Sequence, residues 1–477
     1  MHFSDYKLFG ILRHFQKSEL KKLAAFIETG LGGPPGKSME LLNLIVPYHP
    51  QFSDRALDKT YLFENLYPNQ NYKEQQLRYA LSDLFRISVR FLGHLELNNG
   101  DSELNPYIRK ALALRGADKT YLSLPDPFEQ SERTHSGSNM HHLAFREQYI
   151  HLNLFLSRKN RTDPEALAKA ARNLDAFYLS TKLKMLCELI NSQNVRSGDF
   201  GFFMREEIEN RVQLGDFSEI PSVVIYFGIL KTLTDPEKEE HFESLQENLD
   251  TYASQFGQDE LRDMYKYLMN YCIKKINLGN QTYLQKLFNI YQTVIENKSI
   301  YNGKFLSQWD FKNIVVVGIR AGQNSWVETF IGRHIQDLAT HEQENALTYN
   351  TAYLKFSNGD YHAALRLLQN VEFTDIYYQL DMRSVILKCY YEMGDYEALN
   401  YHLSAFRLFL SRNKEISEYQ RTIYRNLIRY SGKIMQANAQ KSKAKELISE
   451  IEKVKQIADY SWVRKKAEQA LRGNANS

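Results

Sequence analysis

A glycine–aspartate turn recurs in the 477-residue chain and constrains its fold more than any other feature. The stretch "FSNGDYHAALRLL" at 356–368 returns as "YEMGDYEALNYHL" at 391–403, so Gly394 follows Gly359 by 35 residues. Glycine often ends a helix in the left-handed conformation, and aspartate often caps the helix that follows. The recurrence therefore predicts two successive helix–turn–helix units, with a spacing close to the ~34 residues typical of helical repeats.

Two weaker turns of the same kind lie upstream. Gly279-Asn280 in "INLGNQTYLQKL" and Gly322-Gln323 in "GIRAGQNSWVETF" each separate two segments whose apolar residues follow helical spacing. The chain contains only 11 Pro but 31 Tyr and 27 Phe, so it can form many helices and bury a large aromatic core. Together these features predict an all-α fold, with an N-terminal helical domain followed by an α-solenoid of antiparallel helix pairs.

Changes in repeat content and composition along the chain predict the domain boundaries. Residues 1–115 show no repeat and form the predicted N-terminal helical domain. Residues 116–140 contain two prolines and a Ser/Gly/Asn cluster, so they form the predicted linker. Residues 141–477 form the predicted degenerate solenoid. Its last helices are rich in charged residues, as expected of the capping helices that end such an array.

The segment 345–410 resembles the tetratricopeptide repeat. The stretch "AYLKFSNGDYHAAL" carries the small Ala352 of the family's first helix, the Gly359 turn and the small Ala364 of the second helix. The resemblance implies a tetratricopeptide-like solenoid in which the first helix of each pair lines the concave face. On that face it places Tyr349, Tyr353, Phe356, Ser384, Lys388 and Tyr391.

A basic stripe follows on the next helix, where Arg421, Arg425 and Arg429 recur at every fourth residue. Beside the aromatic residues of the concave face, this stripe predicts a groove for an extended or helical peptide of acidic character. In the structural alternative the tyrosines pack between repeats and the arginines are solvated. The function predicted from the groove is a non-catalytic protein-interaction scaffold that binds a peptide or protein partner.

Three arginines of the N-terminal domain support an alternative function. Arg78, Arg86 and Arg90 share one face of a predicted amphipathic helix. The stretch "LFENLYPNQNYKEQQLRYALSDLFRI" resembles the winged-helix part of bacterial activators that join such a domain to tetratricopeptide repeats. This resemblance implies a DNA-binding transcriptional regulator with the repeats as sensor, in which a β-wing follows Leu97. In the structural alternative the arginines form a solvated face, and the region also resembles bacterial helical proteins that carry no assigned activity.

The stretch "GLGGPPGKSMELL" at 30–42 contains Gly-Lys-Ser, as a phosphate-binding loop does. That loop also needs a glycine where this chain has Leu31, and two prolines here remove backbone donors that should face the phosphates. The preceding segment has helical rather than strand spacing. We therefore expect a helix end at Gly30, a turn, and Ser38 capping the next helix, rather than a nucleotide site at Lys37.

Other sequence indications of a metal, catalytic or cofactor site are weak. A histidine group lies near Glu147, but its spacing does not place the rings on one helical face: His135, His141, His142 and His151. This spacing favours a surface cluster over a metal site. The sequence shows no signature of a catalytic nucleophile or a cofactor loop, so we expect no enzyme activity, no cofactor and no metal.

Charge and cysteine usage suggest the compartment. The net charge is +3, too small to indicate general binding to nucleic acid or to a membrane surface. The three cysteines, Cys187, Cys272 and Cys389, are widely spaced and indicate no disulfide framework. The longest apolar run, "VVIYFGIL" at 223–230, is shorter than the ~20 residues of a membrane helix. We expect a soluble, cytoplasmic bacterial protein.

Overall fold

The computed structural model describes residues 6–52, 57–98, 101–124, 138–195, 201, 203–369, 375–437, 441–454 and 456–473. Within these ranges every regular element is helical, and the only extended pairing is an isolated bridge between Asn302 and Phe305. The prediction of an all-α fold is confirmed. The chain divides into two compact units, Met1–Lys182 and Leu183–Ser477. None of the described helices is long and apolar enough to cross a membrane.

The helices of the first unit are α1 (Lys7–Leu12), α2 (Lys17–Glu28), α3 (Ser38–Ile45), α4 (Lys59–Leu66), α5 (Glu74–Asn98), α6 (Asp101–Arg115), α7 (Asp118–Ser123) and α8 (Ser138–Ile150). A π-helical turn, His151–Leu156, continues α8, and the boundary between the units falls within α9 (Pro164–Val195). The predicted linker at 116–140 thus contains α7, and its residues 125–137 lie outside the described ranges.

Helices α1 to α5 bury a common apolar core. The stripe of α5 supplies Leu77, Leu81, Leu84 and Phe91, all buried as their helical spacing predicts. The ring of Phe91 lies 5.6 Å from that of Phe26 on α2. Because each buried side chain of this size stabilises the fold by about 1.5–3 kcal/mol, this core fixes α2 and α3 relative to α5.

The glycine-rich segment joins α2 to α3 as a turn. Gly30 adopts a φ of +71° just beyond α2, as expected for a residue that ends a helix. Lys37 occupies the N-cap position of α3, and its ammonium lies 2.6 Å from the carboxylate of Glu40. The prediction that Ser38 caps α3 is wrong. Ser38 is already the first helical residue, and a side chain caps from the non-helical residue before that position.

The helices of the second unit, after the end of α9, are α10 (Arg205–Gln213), α11 (Pro221–Thr234), α12 (Glu239–Tyr252), α13 (Gln258–Asn277), α14 (Thr282–Glu296), α15 (Gln308–Arg320), α16 (Asn324–His334), α17 (Thr340–Ser357), α18 (Tyr361–Gln369), α19 (Ile376–Glu392), α20 (Tyr396–Arg412), α21 (Glu418–Ala437), α22 (Lys441–Val454) and α23 (Tyr460–Gly473).

The predicted glycine turns join α13 to α14, α15 to α16, α17 to α18 and α19 to α20. Their glycines have φ angles of +103°, +77°, +82° and +70°: Gly279, Gly322, Gly359 and Gly394. The carboxylate of Asp360 accepts from the N–H of Ala363 at 3.2 Å, and that of Asp395 accepts from Ala398 at 3.0 Å. The predicted helix–turn–helix units are therefore confirmed.

Packing connects these pairs along the second unit. The two helices of each pair contact each other, and the first helices α15, α17 and α19 also contact one another in series. Gly318 allows one close approach, because a Cβ atom there would lie 2.5 Å from a methyl group of Val327 on α16. Side chains on the first helices, although distant in sequence, are thereby brought together.

Candidate functional site

A buried ion pair joins α19 to the turn before α23. Lys388 donates from Nζ to Oδ2 of Asp459 at 3.0 Å, and the hydroxyl of Ser384 donates to the same oxygen at 2.5 Å. The side chain of Lys388 is 4% exposed, whereas that of Asp459 is 35% exposed. We call these three residues the Lys388 centre. Ser384 and Lys388 were predicted from the sequence to be groove residues, but the sequence did not indicate their common partner Asp459.

The position of Asp459 is fixed by contacts of the preceding residues with α21. The N–H of Ala458 donates to the backbone oxygen of Ile423 at 3.1 Å. The side-chain amide of Asn426 donates to the backbone oxygen of Gln456 at 2.8 Å. These bonds hold the turn against α21, so the carboxylate of Asp459 can reach α19.

Charge is retained on both members of the pair. Burial alone raises the pKa of Asp459, but the Lys388 ammonium and the bond from Ser384 outweigh burial and bring it below its ordinary value. Burial alone lowers the pKa of Lys388, but the Asp459 carboxylate outweighs burial and raises it. The pair is therefore ionised at neutral pH. Such an arrangement holds structure together and offers no group poised for proton transfer.

Aromatic side chains of α17 surround the Lys388 ammonium. Its Nζ lies 5.8 Å from the ring centre of Tyr353 and 5.3 Å from that of Phe356. Tyr349 stacks beside Tyr353 with 6.3 Å between ring centres. Tyr349 is buried, and Tyr353 and Phe356 are half-buried. The predicted aromatic group thus comes together, but largely as packed interior.

The expectation that Lys388 and Tyr391 face an open groove is wrong, because the turn before α23 contacts Lys388 and α23 itself packs on Tyr391. Both residues and Ser384 are buried. The ring of Tyr391 lies 5.2 Å from that of Trp462 on α23, and the indole N–H of Trp462 donates to Glu392 at 2.9 Å. The tetratricopeptide resemblance placed these residues on one face, but it gave no indication that a helix distant in sequence packs against that face.

The basic stripe of α21 is engaged by neighbouring groups. Arg421 donates to backbone oxygens at the end of α20 and in the following turn at 3.0 and 3.1 Å. Arg425 lies 3.7 Å from Glu418, and Arg429 lies 2.7 Å from Glu450. Arg421 therefore satisfies a helix end, while Arg425 and Arg429 are exposed but paired. The basis for expecting an acidic partner is correspondingly reduced.

An open cavity of about 450 Å³ lies between α15, α19 and α21. The ammonium of Lys312 lies 2.5 Å from Oδ2 of Asp381, and the hydroxyl of Tyr424 donates to Oδ1 of Asp381 at 2.7 Å. Burial and the Asp381 carboxylate raise the pKa of Tyr424, so its hydroxyl remains a donor. We call this the Trp309 cavity, lined by Trp309, Lys312, Asp375, Tyr377, Asp381, Gln420 and Tyr424.

Sequence reasoning missed the Trp309 cavity. Lys312 and Asp381 are 69 residues apart and belong to no motif. Asp375 lines the cavity while capping α19, since its carboxylate accepts from the N–H groups of Tyr377 and Tyr378 at 2.8 and 3.0 Å. The only local signal was the spacing of Trp309 and Lys312, which places both on one face of α15.

The arginines of α5 are exposed, as their spacing predicts. Arg86 lies 2.9 Å from Asp83, and Arg90 donates to the backbone oxygen of Gly32 at 2.8 Å. Arg78 occupies the same face at the start of the helix. The β-wing expected after α5 is not found in the described residues, where α6 follows instead. The feature that would have favoured DNA binding is therefore missing from this part of the chain.

The prediction that the histidines form a surface cluster is wrong for the described ones, because His141 is buried and His142 and His151 are half-buried. Nδ1 of His141 lies 2.9 Å from the side-chain oxygen of Asn173, and Nδ1 of His151 lies 3.2 Å from a tyrosine hydroxyl of α7. His142 stacks on an aromatic ring of α9, and His135 lies outside the described residues. Among the residues that the structure describes, no three His, Cys, Asp or Glu side chains are grouped so that they could hold a metal ion.

Comparison of the chain with protein-family models, with curated proteins and with solved structures gives no match.

Proposed function

We propose that the second unit is a non-catalytic scaffold whose helix pairs stack as a tetratricopeptide-like solenoid and bind a protein or peptide. Four glycine turns and the serial contacts of α15, α17 and α19 support this arrangement. Each repeat of such an array buries its apolar face against the next repeat. The array also exposes an extended surface on which a segment of another chain can lie.

The observation that carries the proposal is the Trp309 cavity. Trp309, Tyr377 and Tyr424 offer aromatic rings, and its two carboxylates outnumber its single ammonium. A side chain with an apolar stem and a cationic end suits this lining, because the stem packs on rings while the cation lies near carboxylates. The volume of about 450 Å³ falls within the ~300–1,000 Å³ of typical ligand pockets. The expected ligand is therefore a peptide that presents arginine.

The test uses a random peptide library displayed on phage and selected on the wild-type chain. Selected peptides are labelled, and their affinity is measured by fluorescence anisotropy. Tyr377 lines the cavity and is 40% exposed, so Tyr377→Ala should weaken binding about tenfold without unfolding the chain. Tyr401→Ala is the matched control, because Tyr401 is 72% exposed on α20 and does not line the cavity.

The charge of the peptide supplies a second test. Replacing its arginine by glutamate should remove binding, because a third carboxylate would face Asp375 and Asp381. The proposal is wrong if the selected peptides bind equally well to wild type and Tyr377→Ala. It is equally wrong if both tyrosine variants lose the same affinity, or if the glutamate peptide binds as tightly as the arginine peptide.

A further inference from the structure

A second cavity lies in the first unit, between α2 and the end of α3. Its volume is about 420 Å³, again within the ~300–1,000 Å³ of typical ligand pockets. The apolar lining comes from Leu20 and Ala24 on α2 and from Leu42, Val46 and Pro47. Leu20 and Leu42 also belong to the buried core of this unit, so the apolar floor is a fixed part of the fold.

The polar lining is cationic. Lys17 and Lys21 line the cavity one helical turn apart, together with Asn43 and His49, and no carboxylate lines it. Among the described residues neither lysine has an ion-pair or hydrogen-bond partner. Lys17 is the first residue of α2, where the helix dipole already presents positive charge. Two adjacent cations at this end oppose helix stability, and a bound anion would relieve both effects.

His49 lacks a polar partner as well. Both of its ring nitrogens are buried, and neither has a hydrogen-bond partner among the described residues. Its ring lies 5.8 Å from that of Phe52 in an edge-on contact. A neutral imidazole always carries one N–H donor, and a buried donor without an acceptor is unfavourable. If the His49 ring rotates toward the cavity, a carboxylate bound there would supply that acceptor.

We propose that this cavity binds a medium-chain carboxylate. The alkyl chain packs against Leu20, Leu42 and Val46, and the carboxylate lies between Lys17 and Lys21 within reach of the His49 ring. Apolar burial supplies the attraction, while the two lysines select a negative head group. The inference rests on the first unit alone and is independent of peptide binding by the second.

Isothermal titration calorimetry of the full chain tests the ligand class. Octanoate, kept below its micelle concentration, should bind saturably. Octylammonium has the same chain with the opposite charge, and acetate has the same head group without the chain. Each should bind at least about tenfold more weakly than octanoate, because each lacks one of the two complementary features.

Two variants and one control test the location. Lys17→Gln with Lys21→Gln should weaken octanoate binding about tenfold. Ala24→Phe, which fills the apolar part of the cavity, should abolish it. Lys22→Gln is the matched control, because Lys22 is exposed on the same helix but does not line the cavity. Its affinity should stay within about twofold of wild type.

The proposal is overturned if octylammonium binds as tightly as octanoate, or if wild type takes up no octanoate. It is also overturned if the lysine double variant binds like the Lys22→Gln control. Circular dichroism melts establish that each variant is folded. Should Ala24→Phe fail to fold, the lysine variants still decide the question, because both lysines are exposed and their replacement by glutamine leaves the core unchanged.

Discussion

A buried ammonium is tolerated only when a carboxylate and hydrogen bonds replace its hydration, and Lys388 meets this condition through residues far away in the chain. Asp459 lies 71 residues beyond it. The resemblance to the tetratricopeptide repeat grouped Lys388 with Tyr353 and Ser384, and the structure brings these side chains close together. The resemblance assigned Lys388 to an open surface, because nothing near Lys388 in sequence indicates that Asp459 arrives there.

Neutralising Asp459 and neutralising Lys388 should lower the free energy of unfolding by different amounts. Asp459→Asn leaves a nearly inaccessible ammonium without its carboxylate, and we expect it to lower the free energy of unfolding by about 3 kcal/mol. Lys388→Met leaves a carboxylate that retains 35% exposure, so water screens it and about 2 kcal/mol is expected. Urea unfolding of both variants, followed by circular dichroism, measures these differences.

The double variant Lys388→Met with Asp459→Asn provides the control. It removes both charges, so its loss of stability should be smaller than the sum of the single losses by about 1–2 kcal/mol. Strict additivity of the two single effects would contradict the pairing that we describe.

The same pair predicts a pH dependence. The folded pKa of Asp459 is lowered, so its stabilisation is complete above the unfolded value of about 3.9 and disappears as the pH falls through the folded pKa. The folded pKa of Lys388 is raised, so its stabilisation is complete below about 10.4 and is lost at higher pH. The stability difference between wild type and Asp459→Asn should therefore stay constant from about pH 5 to 7 and narrow below about pH 4. A difference that grows on acidification would show the opposite shift.

At the scale of elements, the glycine turns were predictable because their cause is local. A glycine in the left-handed conformation and an aspartate cap act within a few residues, so four turns could be placed from sequence alone. Ser38 shows the limit of such reasoning. Its position as the first helical residue of α3 rather than its cap depends on how the preceding turn is built, which composition does not reveal.

Two alanine substitutions should shift stability in opposite directions. Gly394 has a φ of +70°, so Gly394→Ala should destabilise the chain by about 1–2 kcal/mol although the added Cβ meets no atom. Gly332 lies within α16 at an ordinary φ with equally open space, so Gly332→Ala should stabilise by about 0.5–1 kcal/mol. Chemical denaturation of both variants gives the comparison. Stabilisation by Gly394→Ala would show that its backbone is not held in the left-handed region.

The basic stripe of α21 shows why an element's surface cannot be assigned from its own sequence. Its arginines share a face, as predicted, but Glu418 lies one turn before Arg421 and two turns before Arg425, and the partner of Arg429 is Glu450 of α22. Arg421 binds backbone oxygens that become available only where α20 ends. Whether a cation is free to bind a partner is therefore a tertiary property.

At the scale of the whole molecule, the features that could not be predicted from the sequence are mostly contacts between helices that are distant in sequence. The charged C-terminal helices were expected to be capping helices with a polar outer face. The structure shows the inner face of α23, where Val463 and Ala467 pack in a core that the helix shares with Leu387 of α19 and Leu427 of α21. The turn before it also supplies the carboxylate of the Lys388 centre. Helix α23 is thus part of the structure that supports the face formed by α17 and α19, the first helices of their pairs.

Removal of α23 should therefore loosen helices far from it in sequence. A chain truncated after Val454 loses Asp459 and the buried side chains of α23, so amide hydrogen exchange should become faster in α19 and α21. A synthetic peptide of residues 456–473 added in excess should restore protection, because it returns the same contacts without the covalent link. The same peptide with Asp459→Asn should need about a tenfold higher concentration, since it leaves Lys388 unpaired. If α19 and α21 kept full protection after truncation, α23 would be a peripheral cap, and the buried pair would contribute little to the stability of the second unit.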